Sequence, residues 1–349
     1  MSKELDLASL VAAAIGENDE QQEVTVWLDT GYAPLNEAIS GDLEKGLPGG
    51  RLIEIFGPPS AGKTAIATAV MKSAQQMGGI AMFNDHERSF DIGLGVALGL
   101  DPTPGRWVYK MPRTFEQSID DTVKLARAIR AKKAIPDEAP IVAVFDSLAS
   151  MVPQSKLMDD KGEMRESSSM GMHDNLALAK ATSTSFPALM QHASELNICL
   201  IFLNQQRQKP GVAYGDPTTT PGGNAPEFFA SVRIQLSRRV EKDKKTKEVE
   251  GQAITAVCKK NKVNRPFLSA EWDFKFMEDG TGKFDVFEGT LEYMKAKGYI
   301  ETSGSYVIWE GKSYHVGPLA RKLEAEMTYK ELVAVIVAAK DAAKAKKAT

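Results

Sequence analysis

Between residues 52 and 203 the chain alternates short, largely apolar runs with longer segments of helical periodicity. The runs at 52–56, 80–83, 107–109, 141–145 and 198–203 are short and rich in β-branched and aromatic residues, so they predict strands. The segments at 63–77, 114–133 and 176–196 predict helices. Strands with no polar face must be covered on both sides, which argues for an α/β fold built on a mostly parallel central sheet between helices. The texture changes after Ser231: 231–240, 253–258 and 267–276 predict strands joined by turns, with the charged stretch 241–247 as a hairpin tip. Near the start, Leu7, Leu10, Val11, Ala14 and Ile15 share one helical face, followed by a polar stretch and a strand at 24–28. That face must be buried by its own domain or by a neighbouring subunit. Beyond Gly282 lies a small α/β segment ending in an Ala/Lys helix. The expected division is an N-terminal oligomerisation segment at 1–44, a core at 45–282 and a small C-terminal domain at 283–349. Residues 154–169 and 206–224 carry no pattern, and long unpatterned loops inside a compact domain tend to be functional.

Charge and composition narrow the classes. With 43 Lys plus Arg against 46 Asp plus Glu in 349 residues, the net charge is −3, so any polyanion site must be local. No apolar run approaches the roughly 20 residues of a membrane helix. The run at 7–15 is preceded by Glu4 and Asp6 instead of a basic stretch, which argues against a signal peptide. Cys199 and Cys258 sit in apolar runs outside any CxxC pair, so they read as reduced, buried thiols of a cytoplasmic protein. His86, His173, His192 and His315 show no metal-ligand spacing.

The sharpest chemical signal is Gly57-Pro58-Pro59-Ser60-Ala61-Gly62-Lys63-Thr64, which matches GxxxxGK[ST] between a predicted strand and a predicted helix. Loop N–H groups and the helix N-terminus would cradle phosphates, Lys63 would reach the β/γ-phosphates, and Thr64 would ligate Mg²⁺. Asp146 ends the apolar run at 141–145, at the strand tip where Mg²⁺ would also be held. Glu87, Asp85 and Asp91 follow the run at 80–83, and each is a candidate to orient an attacking water; spacing alone does not choose among them. Asn204 and Gln205 end the run at 198–203 where an unpatterned segment begins, which suits a sensor of the γ-phosphate.

Taken together, GPPSAGKT (57–64), Asp85-His86-Glu87, IVAVFDS (141–147), FLNQQR (202–207), TTTPGGNA (218–225), FFASVR (228–233) and KKNK (259–262) resemble the bacterial RecA recombinase family, in order over roughly 45–317. The resemblance implies that Glu87 activates water and that Gln205 senses the γ-phosphate. It implies that Lys260 and Lys262 reach a neighbour's ATP, and that Asp91 lies near the adenine. It makes the two unpatterned segments DNA-binding loops, with Met170 and Gly171 ending the first, and Arg207, Lys209, Pro210, Gly222, Gly223 and Asn224 in the second. The chain also departs from the family pattern. Leu94 stands at one aromatic position near the adenine, and a second such position falls on Phe287. Pro210 replaces an aliphatic wedge, and Asn175 replaces an arginine that Lys180 could substitute. In place of an acidic tail the chain ends with Lys340, Lys344, Lys346 and Lys347, which suggests a divergent member, phage-encoded or bacterial.

The function implied is an ATP-dependent recombinase that forms filaments on single-stranded DNA and pairs it with duplex DNA. Sequence-independent phosphate contacts suit that task. A hexameric helicase on the same core is the alternative, but it would carry an arginine finger and a longer N-terminal domain. A non-hydrolysing mediator is a third reading, opposed by the joint presence of Lys63, Glu87 and Asp146.

Overall fold

A computed structural model describes residues 14, 23–159, 163, 176–208, 218–242, 246–276 and 282–348. All but Ala14 of the helix expected at 7–15, together with Met170, Gly171, Lys209 and Pro210, lie outside the described residues. Nine strands form one sheet: β1 (Leu52–Gly57), β2 (Ile80–Asp85), β3 (Trp107–Lys110), β4 (Ile141–Asp146), β5 (Ile198–Gln205), β6 (Val232–Lys242), β7 (Val249–Asn261), β8 (Ser269–Phe276) and β9 (Gly282–Asp285). Their order is β9-β8-β7-β6-β1-β5-β4-β2-β3. Neighbours from β6 through β3 pair in parallel, and β7, β8 and β9 extend the sheet as antiparallel hairpins.

Every residue of β1, β2 and β4 is buried, because side chains alternate between two covered faces. On one face Ile53, Ile55, Phe83, Val144 and Ile201 pack with the helices α1 (Ala33–Ser40) and α2 (Lys63–Gln76). On the other, Leu52, Met82, Phe145, Leu200 and Phe202 pack with α3 (Phe115–Ala131) and α4 (Ala177–Glu195). Phe145 and Phe202 stack at 4.4 Å within that second layer. Cys199 and Cys258 are free and fully buried, and burial pushes both thiols well above their ordinary value.

The structure differs from the sequence reading at several edges. The strand expected at 24–28 is only Trp27–Leu28, because its partner is the two-residue strand Leu47–Pro48 before the Gly49-Gly50 turn. Helix α1 was not anticipated; Pro34 opens it and Gly41, at φ 86°, closes it. Strand β9 begins at Gly282 and completes the main sheet, while residues from Val286 onward build a third apolar core around Leu291, Leu319, Leu323 and Ile336. Lys340 turns inward from the C-terminal helix, donating to the Gly41 carbonyl at 3.1 Å and pairing with Glu37 at 2.5 Å. It therefore ties that helix to α1. Among the described residues no helix is long and apolar enough to cross a membrane.

Candidate nucleotide site

Parallel pairing brings the carboxyl ends of β1, β2, β4 and β5 to one edge, with Gly57 opposite Gln205 and Asp85 opposite Asp146. The loop 57–64 leaves β1 there and enters α2. Gly57 is required by its neighbour: a Cβ there would stand 2.5 Å from the Leu236 carbonyl oxygen. Gly62 takes φ 84° to start the helix. The Lys63 ammonium donates to the carbonyls of Pro58 at 2.9 Å and Gly57 at 3.3 Å. Burial lowers its pKa, with Asp146 and Glu87 opposing.

Thr64 donates its hydroxyl to Asp146 Oδ2 at 2.9 Å. Burial raises the Asp146 carboxyl from 3.8 to about 6; Glu87 and Asp85 add to the rise, and the Thr64 hydrogen bond and Lys63 oppose it. The three acidic candidates after β2 separate by their partners. Asp85 is buried and spent on its own turn, accepting from Arg88 N at 2.6 Å, Phe90 N at 3.0 Å and the Tyr109 hydroxyl at 2.8 Å. Asp91 caps the short helix Ile92–Ala97 by accepting from Gly93 N and Leu94 N. Glu87 is exposed at the site, with its backbone N–H and that of His86 held on the Asp146 carbonyl. Glu87 Oε1 accepts from Ser147, from Ser150 at 3.3 Å and from Gln205 Nε2 at 3.2 Å. Burial drives the neighbouring His86 down to about 4, so it is neutral at physiological pH.

Asn204, one residue before Gln205, belongs to a buried network. Its Nδ2 donates to Glu54 Oε1 at 2.9 Å and to the Pro221 carbonyl at 3.0 Å. Glu54 is fully buried on β1 and pairs with Arg233 on β6 at 2.6 Å. Thr182 on α4 donates to the Gly222 carbonyl at 2.8 Å, so Pro221 and Gly222 are both anchored. Gly222 and Gly223 take φ 96° and 68°, and the Asn224 side chain makes no cap hydrogen bond to the helix that follows. Arg207 is exposed and pairs with Thr219 in a two-residue hairpin.

Two groups of residues lie elsewhere. Lys260 donates to the carbonyls of Glu227 and Phe228, both at 2.7 Å, and Lys262 is exposed. Lys260 pairs with Arg233, which pairs with Glu54, and Lys262 lies two residues further on, so these lysines stand toward the end of the sheet opposite Gly57, about 10 Å or more away by strand rise. Burial lowers the Lys260 pKa, with Lys262 and Arg233 adding. Phe287 is 6% exposed inside the C-terminal core, 5.6 Å from the Tyr329 ring, which leaves it no free face for a base. The aromatic beside the phosphate loop is Phe284, whose ring would be 3.6 Å from a Cβ on Gly62. Sequence reasoning also passed over Ser147, Ser150 and Glu54. Glu54 did carry a signal: a lone carboxylate inside a buried apolar run must have a cation or donors within reach.

The chain matches the family model described as the RecA N-terminal domain over residues 6–281. It is 36% identical over 266 residues to Protein RecA of Geobacter sulfurreducens, covering 76% of this chain and 71% of that one. Against Protein RecA of Bacteroides thetaiotaomicron the identity is 34% over 309 residues, covering 88% and 84%. A solved structure titled as the RadB recombinase aligns with TM-score 0.48 and 18% identity, covering 72% of this chain and 97% of that one.

Proposed function

The chain belongs to the RecA family of homologous recombinases, which bind ATP and are DNA-dependent ATPases, and on that premise we propose which of its residues do the work. Residues 57–64 hold the ATP phosphates, with Lys63 on the β/γ-phosphates and Asp91 toward the base. Thr64 and Asp146 hold Mg²⁺: a hydroxyl and a buried carboxylate in contact are the hard oxygen donors that ion takes alongside phosphates and water. An Mg²⁺ held by these two residues would supply neutralising charge for the phosphate oxygens. Glu87 orients and deprotonates the attacking water, and Gln205 reports the γ-phosphate.

One observation carries the link from ATP to DNA. Consecutive residues of β5 touch both places: Gln205 holds Glu87 at 3.2 Å, and Asn204 holds the Pro221 carbonyl at 3.0 Å, where the second loop ends. Arg207, Gly222, Gly223 and Asn224, with Lys209, Pro210, Met170 and Gly171 outside the described residues, contact single-stranded DNA, and duplex DNA joins it for strand exchange. The placement of Lys260 and Lys262 far from their own phosphate loop supports their acting on a neighbour's ATP in a helical filament. In that assembly the division is an N-terminal oligomerisation segment at 1–44, of which α1 packs on this chain's own core, an ATPase core at 45–282 whose sheet β9 extends to Asp285, and a C-terminal domain at 283–349 beyond that strand.

The test measures ATP hydrolysis with and without single-stranded DNA, in wild type and Glu87→Gln, alongside electron microscopy with Mg²⁺. The expectation is DNA-stimulated turnover, its loss by more than about a hundredfold in the variant, and open helical filaments in both. Closed rings, or normal turnover by Glu87→Gln, would contradict the assignment.

A further inference from the structure

The phosphate loop rests on the antiparallel part of the sheet. Leu236 of β6 lies against Gly57, and Ile254 of β7 lies against Gly62, with its Cδ1 3.4 Å from where a Cβ would be. Within this apolar bed sits one buried amide. Gln252 of β7 is 6% exposed, donates from Nε2 to the Ser60 carbonyl at 2.8 Å, and accepts at Oε1 from Arg238 Nη1 at 3.3 Å. Its orientation is fixed by chemistry, since a carbonyl can only accept and a guanidinium can only donate.

Ser60, inside the loop, takes φ 57°, a conformation that a non-glycine residue holds only when its surroundings impose it. In a trans peptide the C=O and the following N–H point in opposite directions. Drawing the Ser60 carbonyl onto the Gln252 amide therefore turns the Ala61 N–H away from that side chain. We propose that Gln252 is a positioning residue for nucleotide binding: it sets the Ser60–Ala61 peptide so that the Ala61 N–H faces phosphate, and Arg238 holds Gln252 in that orientation.

The inference rests on the reading of 57–64 as the phosphate site, and the experiment separates the two. Equilibrium binding of a fluorescent ATP analogue and steady-state ATP hydrolysis are measured on the full chain as wild type, Gln252→Leu, Arg238→Met and Lys63→Ala. Gln252→Leu keeps the volume and removes the donor. It is expected to weaken nucleotide binding and raise KM about tenfold, equivalent to about 1.4 kcal/mol, with kcat within about twofold. Arg238→Met, at an exposed position, is expected to do the same about two- to threefold. A purely structural role would lower the melting temperature and leave KM alone. Wild-type affinity in Gln252→Leu, or a fall in kcat at unchanged KM, overturns the proposal. Should Gln252→Leu fail to fold, Arg238→Met decides: wild-type affinity there overturns it as well. Unimpaired binding by Lys63→Ala instead sinks the phosphate-site reading itself.

Discussion

Replacing Asp146 by Asn should make the protein more stable and less active. Asp146 is 8% exposed, and burial raises its carboxyl from 3.8 to about 6. At 1.36 kcal/mol per pH unit, ionising that group in the folded state costs about 3 kcal/mol relative to the unfolded chain. The sign follows from the folded pKa lying above the unfolded one. Well below pH 4 the carboxyl is protonated in both states and contributes nothing; the penalty grows between about pH 4 and 6, and above that the native state carries it in full. Asn keeps an oxygen to accept the Thr64 hydroxyl and carries no charge. Thermal unfolding without nucleotide and with a chelator should show Asp146→Asn melting a few degrees higher at pH 8, with the gap shrinking below pH 6 and closing below about pH 4. Mg²⁺-dependent ATP hydrolysis should fall sharply in the same variant. Equal or lower stability at pH 8, or a gap that does not change with pH, would refute the burial argument.

Two further outcomes follow from the buried network and the loop it anchors. Arg233→Met leaves the fully buried Glu54 without its cation and should cost about 3–5 kcal/mol in urea denaturation, while the double variant Glu54→Gln/Arg233→Met recovers most of the loss; equal stability of the two would show that the pair is not coupled. Gly223→Ala places a methyl 2.7 Å from the Ala179 Cβ at φ 68°, which should cost about 1–3 kcal/mol and weaken binding to single-stranded DNA in a filter or anisotropy assay without changing ATP affinity measured alone.

The parts of this fold that were legible in the sequence are those where burial acts on both faces. Val142 and Val144 face one core and Ile141, Ala143 and Phe145 the other, so the run at 141–145 has no polar break to obscure it. The phosphate loop was legible because its eight residues are contiguous. Helix α1 was harder to see: eight residues give only two turns, too few for periodicity, although Pro34 and Gly41 marked its ends. The choice among Asp85, Glu87 and Asp91 was closed to sequence because it depends on which backbone N–H groups each carboxylate can reach. Phe284 and Phe287 flank the switch from strand β9 to helix at Val286. There the side-chain period changes from two to 3.6, so which aromatic meets the loop depends on where the break falls. Lys340 is grouped in the sequence with the terminal lysines because nothing near it announces Glu37, three hundred residues earlier.

The adjacency of Asn204 and Gln205 limits how any message can pass along β5. Neighbouring residues of a strand point to opposite faces, and sliding by one position would exchange their directions and break the pairing with Phe56 and Gly57. Translation along the strand axis is therefore closed as a mode of communication. What remains is rotation: Gln205 can swing off Glu87 about its own side-chain bonds, and the strand tip can tilt. Only the tilt would carry the Asn204 amide and the Pro221 carbonyl it grips; a swing of the Gln205 side chain alone leaves them in place. On the proposed reading of Gln205, the strand tip is a latch on a fixed rail, with one narrow release.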